Sequence, residues 1–78
     1  MNMCESSAYM ITPEGETKIM DYVVDIIPND DGSLTLSDLL GGTKIVQGRL
    51  KEVKLLKHKI IIVRMAKYIS NNRFIVKI

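Results

Sequence analysis

The sequence predicts an all-β domain, and three observations carry that prediction. Eleven Ile, six Val and four Thr stand against only two Ala, and β-branched side chains suit a pleated sheet better than a helix. Turn signals recur at short intervals, at Thr12-Pro13-Glu14-Gly15, Asn29-Asp30-Asp31-Gly32 and Gly41-Gly42. The apolar runs between them are strand-sized, the longest being Ile60-Ile61-Ile62-Val63. Five to seven short antiparallel strands joined in this way make a small barrel-like domain or two curled sheets.

In order, Ser7 to Ile11 reads as the first strand. Pro13 fixes φ early in the following turn and Gly15 accepts a positive φ late, so Glu16 to Met20 returns as the second arm of a hairpin. Tyr22 to Ile27 alternates as a third strand, with Tyr22, Val24 and Ile26 on one face, and Pro28 stops it because it has no N–H for a ladder. The Asp31-Gly32 pair gives the strongest turn signal. After it Ser33 to Ser37 alternates with its leucines inward, and Thr43 to Gly48 follows Gly41-Gly42. Gly48 marks a bend or bulge.

Leu50 to His58 supports two readings. Leu50, Val53 and Leu56 fall near helical spacing in a Lys- and Leu-rich segment. A hairpin would instead pair Val53-Lys54-Leu55 with Ile60-Ile61-Ile62, itself a strand buried by composition. Residues 64–78 form a C-terminal extension with a possible hairpin around Asn71-Asn72, closing on Phe74 to Ile78.

Seventy-eight residues make one domain with a small core, and such domains often gain stability by dimerising. The single cysteine, Cys4, cannot form an internal disulfide, which suits a reducing compartment. No signal-peptide pattern opens the sequence and no apolar run reaches membrane-spanning length. The chain therefore reads as soluble and cytoplasmic, with no membrane partner.

The net charge of +2 conceals an asymmetry. Residues 1–42 hold eight of the nine acids and one base, Lys18, whereas residues 43–78 hold ten bases and one acid, Glu52. A basic half can be a nucleic-acid footprint, here Arg49, Lys51, Lys54, Lys57 and Lys59. It can equally face an acidic half within a fold or across a dimer, which the lack of a continuous basic run and of an aromatic ladder favours.

Catalysis has little to work with. The chain has no Gly-rich phosphate loop, no nucleophile elbow and no paired histidines at metal spacing, and it reads as a non-enzyme. Cys4 has three uses open to it: metal ligand, nucleophile with His58 as base, or core filler in the first strand. A thiolate is a preferred donor for soft metals, and Ni(II) accepts square-planar N and S donors. If the chain starts at Met3 and that residue is removed, the Cys4 amine and thiolate form a five-membered chelate. One residue supplies too few donors, so a second chain would complete the site near a twofold axis. His58, between two lysines, reads as a turn residue in solvent. Tyr9, Tyr22, Tyr68 and Phe74 read as core fillers with polar tips outward, and the five methionines form no Met-x-x-Met pattern.

The start Met3-Cys4-Glu5-Ser6 with Tyr9, the segment Ile19-Met20-Asp21-Tyr22-Val23 leading to Ile27-Pro28, and Gly48-Arg49-Leu50-Lys51-Glu52-Val53 with His58-Lys59-Ile60-Ile61 together resemble the CooT family. These are small nickel-binding accessory proteins of carbon monoxide dehydrogenase maturation, and relatives have also been catalogued as predicted RNA-binding proteins. The resemblance covers residues 3–63 as a CooT-like β domain and leaves 64–78 beyond it. It implies an all-β homodimer that binds Ni(II) through Cys4 at its interface. It also implies a nickel enzyme such as carbon monoxide dehydrogenase, or its maturation proteins, as partner. It favours strand over helix for Leu50 to His58. The alternative function is a small-barrel RNA-binding protein using the basic half.

Overall fold

Turn chemistry divides the chain into short strands. In the computed structural model, which describes residues 6–65, there are seven: β1 (Ser7–Thr12), β2 (Gly15–Met20), β3 (Val23–Pro28), β4 (Leu34–Asp38), β5 (Thr43–Val46), β6 (Gly48–Lys54) and β7 (Lys59–Arg64). Gly15, Gly32 and Gly41 all take positive φ, at 128°, 90° and 94°, in the three turns marked by the sequence. In the β3–β4 turn the buried Ser33 hydroxyl donates to Asp31 Oδ1 at 2.6 Å and accepts from Asn29 Nδ2 at 3.0 Å. Its polar group therefore costs nothing in lost hydrogen bonding.

The strands form two sheets, ordered β2-β1-β7-β6 and β3-β4-β5. This corrects the barrel expectation: the sheets pack on each other and do not close. It also corrects the all-antiparallel expectation, because β1 and β7 run parallel, from Ser7↔Lys59 to Ile11↔Val63. A parallel pair needs a crossover, and the three-stranded sheet supplies it. Between the sheets lies one core: Ala8, Ile60 and Ile62 from one side, Val23, Leu34, Leu36 and Val46 from the other, with Met10, Ile19, Met20 and Ile26 packed against it. The β4 leucines face inward and Ile60 to Ile62 are buried, as the alternation and composition predict.

Three bulges reset the faces. Ile19 is the extra residue opposite Ala8/Tyr9, Val24 lies between Val23 and Asp25, and Lys51 between Leu50 and Glu52. A bulge adds one residue to one strand and shifts everything after it to the other face. The expected face of the third strand is therefore corrected: Val23 is buried, Val24 is exposed, and Ile26 returns to the core three positions later. Tyr22 is a bend residue at φ 55° and half exposed, so it does not fill the core. Pro28 is the last residue of β3 and sits opposite Leu34, so the strand ends on it.

Leu50 to His58 divides between its two readings. β6 runs to Lys54, pairing Val53 with Ile60 and Lys54 with Lys59. Leu55–Lys57 then form one 3-10 turn, closed by His58 in the left-handed region at φ 54°. The helical spacing of Leu50 and Val53 is the signature of the Lys51 bulge, which puts both opposite the core residues Ile62 and Ile60. The expected bend lies at Gln47, directly before Gly48, where the chain passes from one sheet to the other, and Gly48 itself makes a close approach. Among the named sequence expectations, Cys4, Tyr68, Phe74 and the hairpin around Asn71-Asn72 lie outside the described residues.

A Cβ on Gly48 would sit 2.6 Å from Ile62 Cγ2 and 2.9 Å from the Val63 carbonyl oxygen, and backbone cannot yield as a flexible side chain can. Gly48→Ala is expected to cost about 1–3 kcal/mol, read as a lower denaturant midpoint at unchanged slope.

Candidate functional site

The sequence directs attention to Cys4, so the question becomes where residue 6 emerges. The Ser6 carbonyl accepts from the Val23 amide at 3.0 Å and the Ser7 amide donates to the His58 carbonyl at 2.9 Å. Ser6 is thus held between the start of β3 and the start of β7, at one end of the molecule. Cys4 is two residues earlier.

Two apolar turns flank this point. The β4–β5 turn presents Leu39 and Leu40, 56% and 86% exposed, and the β6–β7 turn presents Leu55 and Leu56, 76% and 96% exposed. Backbone hydrogen bonds connect both turns to the emergence point. Leu39 N donates to the Tyr22 carbonyl at 2.8 Å, immediately before Val23, and His58 N donates to the Leu55 carbonyl at 3.2 Å. Asp38 Oδ1 accepts from the amides of Leu40 and Gly42 at 2.9 and 2.7 Å. Those bonds fix the first leucine pair. A Cβ at position 42 would meet the same carboxylate at 2.8 Å, so a larger residue there displaces the Asp38 side chain from these bonds. The two left-handed residues other than glycine, Tyr22 and His58, both lie in this end, and strain of that kind gathers at functional sites.

Electrostatics pins the first residues further. Ser7 Oγ donates to Asp21 Oδ1 at 2.8 Å, and Lys18 Nζ lies 3.1 Å from the same oxygen. Those contacts, the Ser7 hydrogen bond first, hold the Asp21 carboxyl below its ordinary value of 3.8. An open, mostly apolar groove runs beside Ser6, lined by Val23, Val24, Asp25, Ile26, Val53 and Ile60. Among the described residues no three His, Cys, Asp or Glu side chains converge as a metal cluster.

His58 is exposed, closes its turn, and through its carbonyl accepts the Ser7 amide. Sequence reasoning set it aside as a solvent residue. Only the parallel β1–β7 register, invisible in the alternation pattern, brings it here.

The candidate basic surface is divided. Arg49 and Lys54 lie in β6 with Glu52 between them, Lys51 occupies the bulge, and Lys57 is in the 3-10 turn. Lys59 is committed: its Nζ is 2.7 Å from Glu16 Oε2 and 4.6 Å from the Tyr9 ring centroid. The Glu16 contact raises its pKa. Tyr9, half-buried opposite Ile61, has that cation over its face, where a stacked base would need to sit. No helix among the described residues is long and apolar enough to cross a membrane.

Comparisons with known proteins place the domain as a whole. The family model for CooT, the CO dehydrogenase accessory protein, matches residues 3–63, which include Cys4 and both leucine turns. A crystal structure reported under the name CooT, from Carboxydothermus hydrogenoformans, is 28% identical, with a TM-score of 0.72 over 81% of this chain and 100% of that one. Among curated proteins none matches this chain.

The Asp21 contacts have a measurable sign. A carboxyl whose folded pKa is depressed adds stability that is complete above the ordinary value and is lost as pH falls through the lowered one. In Ser7→Ala the Asp21 pKa is expected to rise toward 3.8, followed by NMR titration of its side-chain carboxyl. An unchanged titration would mean that the serine contributes nothing.

Proposed function

This chain belongs to the CooT family of CO dehydrogenase accessory proteins, and from that premise we propose that it captures Ni(II) through the Cys4 thiolates of two subunits. The cargo is then passed to a nickel enzyme, carbon monoxide dehydrogenase or one of its maturation proteins. The observation that carries this reading is the position of Ser6, two residues after Cys4 in the sequence, at the end of the molecule bearing Leu39, Leu40, Leu55 and Leu56. Four exposed leucines at one end of a chain this small favour association over solvation. A twofold axis brings a residue against its own copy, so an interface there puts two thiolates within reach of one metal ion.

Charge supports a second copy at this end. Asp38 precedes one leucine pair, while Lys54 and Lys57 bracket the other. In a twofold arrangement the acidic turn of one subunit meets the basic turn of its partner, a complementary pairing. Thiolates are soft donors suited to Ni(II), and the remaining positions call for nitrogen. Amides or the amine at the chain start supply it. Release proceeds by ligand exchange: incoming donors of the client replace the thiolates one at a time, with no redox step.

Nickel titration of the wild-type chain should give a thiolate-to-Ni(II) charge-transfer band that saturates at one metal per two chains. Cys4→Ser should abolish the band while sedimentation still reports a dimer; unchanged nickel affinity in that variant would end the reading. Leu40→Glu with Leu56→Glu should give monomers and weaken nickel binding at least tenfold, a loss of about 1.4 kcal/mol. RNA binding that falls steeply with salt and ignores Cys4→Ser would replace this proposal with the nucleic-acid function.

A further inference from the structure

Asp31-Gly32 is the one place in the sequence where an aspartate or asparagine precedes glycine. Glycine has no side chain to shield its nitrogen, so at such a pair the chain can react with itself. The Gly32 nitrogen attacks Cγ of the protonated Asp31 carboxyl and forms a C–N bond. The nitrogen gives up its proton, the carboxyl gives up a hydroxyl, and one water leaves. The product is a five-membered succinimide, and water then adds to one of its two carbonyls. Addition at Cγ restores aspartate. Addition at the main-chain carbonyl gives isoaspartate, with one extra carbon in the backbone. No oxidant or cofactor takes part.

The turn that holds this pair opposes the reaction in two ways. Gly32 N donates to the Asn29 carbonyl at 3.0 Å, which makes Asn29 to Gly32 a hydrogen-bonded β-turn. Neither Asp30 nor Asp31 is among the residues of positive φ, and the described residues include no cis peptide. The turn is therefore type I, with Asn at its first position, Gly at its fourth and Asp31 ψ of about 0°. The succinimide ring holds ψ well away from that value, so Asp31 must leave the turn before the ring can close. The carboxylate is tied down as well. Asp31 Oδ1 accepts from the Ser33 hydroxyl at 2.6 Å and from the Ser33 amide at 2.9 Å. Those bonds, the hydroxyl first, hold the carboxyl below its ordinary value of 3.8, in the ionised form that is a poor electrophile. Ser33 is anchored in turn: it is buried, its hydroxyl accepts from Asn29 Nδ2 at 3.0 Å and its carbonyl from the Asn29 amide at 2.8 Å. Asp31 and Gly32 are exposed, so water is at hand. What the fold withholds is the backbone geometry and the protonated acid.

We propose that Asp31-Gly32 is a self-modification site that its own turn holds shut, and that isoaspartate forms there only when the β3–β4 turn opens. The isomerised chain cannot return to the same turn. Its added carbon lengthens the link between Pro28 and Leu34, which pair across β3 and β4. Its free carboxylate now sits directly on Cα, one carbon short of its former reach to Ser33. Each conversion is a lasting mark of an opening, left in the turn that leads into β4 and its core leucines. The site uses neither Cys4 nor the leucine turns and stands apart from the nickel reading.

Isoaspartate is counted by methyl transfer from S-adenosylmethionine with an isoaspartate-specific carboxyl methyltransferase, and is assigned to residue 31 by mass spectrometry of the digested chain. The reference is a free peptide of residues 27–36 incubated in the same neutral buffer. In the folded chain, isoaspartate at residue 31 should accumulate about tenfold or more slowly than in the peptide, and that slowing should match the hydrogen-exchange protection of the Gly32 amide, because one opening frees both. Ser33→Ala removes the hydroxyl bond to Asp31 and should bring the rate up toward that of the peptide, while protected Ile60 and Ile62 amides report an intact fold. Should those amides lose protection in the variant, the Gly32 comparison in the unsubstituted chain decides alone. A folded chain that isomerises as fast as the peptide overturns the proposal. So does a slowing that departs from the Gly32 protection, or a folded Ser33→Ala chain that reacts no faster than the unsubstituted one.

Discussion

The parallel ladder between β1 and β7 is the contact on which the rest depends. It sets Ala8 beside Ile60 and Met10 beside Ile62, and so joins two hairpins that could not bury a face alone; isolated two-stranded hairpins are marginal in water. The three-stranded sheet is its crossover and then its lid, contributing Val23, Leu34, Leu36 and Val46 to the same core. The ladder also fixes the site. Because Ser7 pairs at the start of β7, the His58 carbonyl is in place to receive its amide, and Ser6 is held at the end that carries the two leucine turns.

The bulges are a second constraint, less visible and as consequential. In a domain this small each face of each strand matters, and a regular strand offers only every second residue to the core. A bulge breaks that limit locally. Ile19 and Met20 are consecutive in sequence, yet both pack on the core. Val23 and Ile26 do so three apart, and Leu50 and Val53 share one side of β6. The same irregularities make three of the four edges poor templates for a stray strand, so core packing and resistance to mispairing have a common source.

Much of this was legible in the residues. Turn positions, strand order along the chain, the inward leucines of β4 and the burial of Ile60 to Ile62 follow from alternation and from glycine, proline and aspartate chemistry. The faces of β3 and the identity of Leu50 to His58 did not follow. A bulged strand spaces its apolar residues three apart, and in a single sequence that spacing is indistinguishable from a helix. The parallel pairing was also hidden, since no local pattern specifies a partner so far away in the chain. For the site, the sequence pointed to Cys4 as the one thiol, and so to the strand start at Ser6. The gathering of His58 and two distant leucine pairs around Ser6 is created only by tertiary pairing.

The long separation between β1 and β7 has a consequence in time. As the polypeptide leaves the ribosome, β1 emerges roughly fifty residues ahead of its parallel partner, and ladders of such high contact order form late because loop closure must precede any gain. Until Ile60 to Ile62 are made, the first hairpin has an open inner edge and no core, a state in which nascent β chains depend on their surroundings to avoid aggregation.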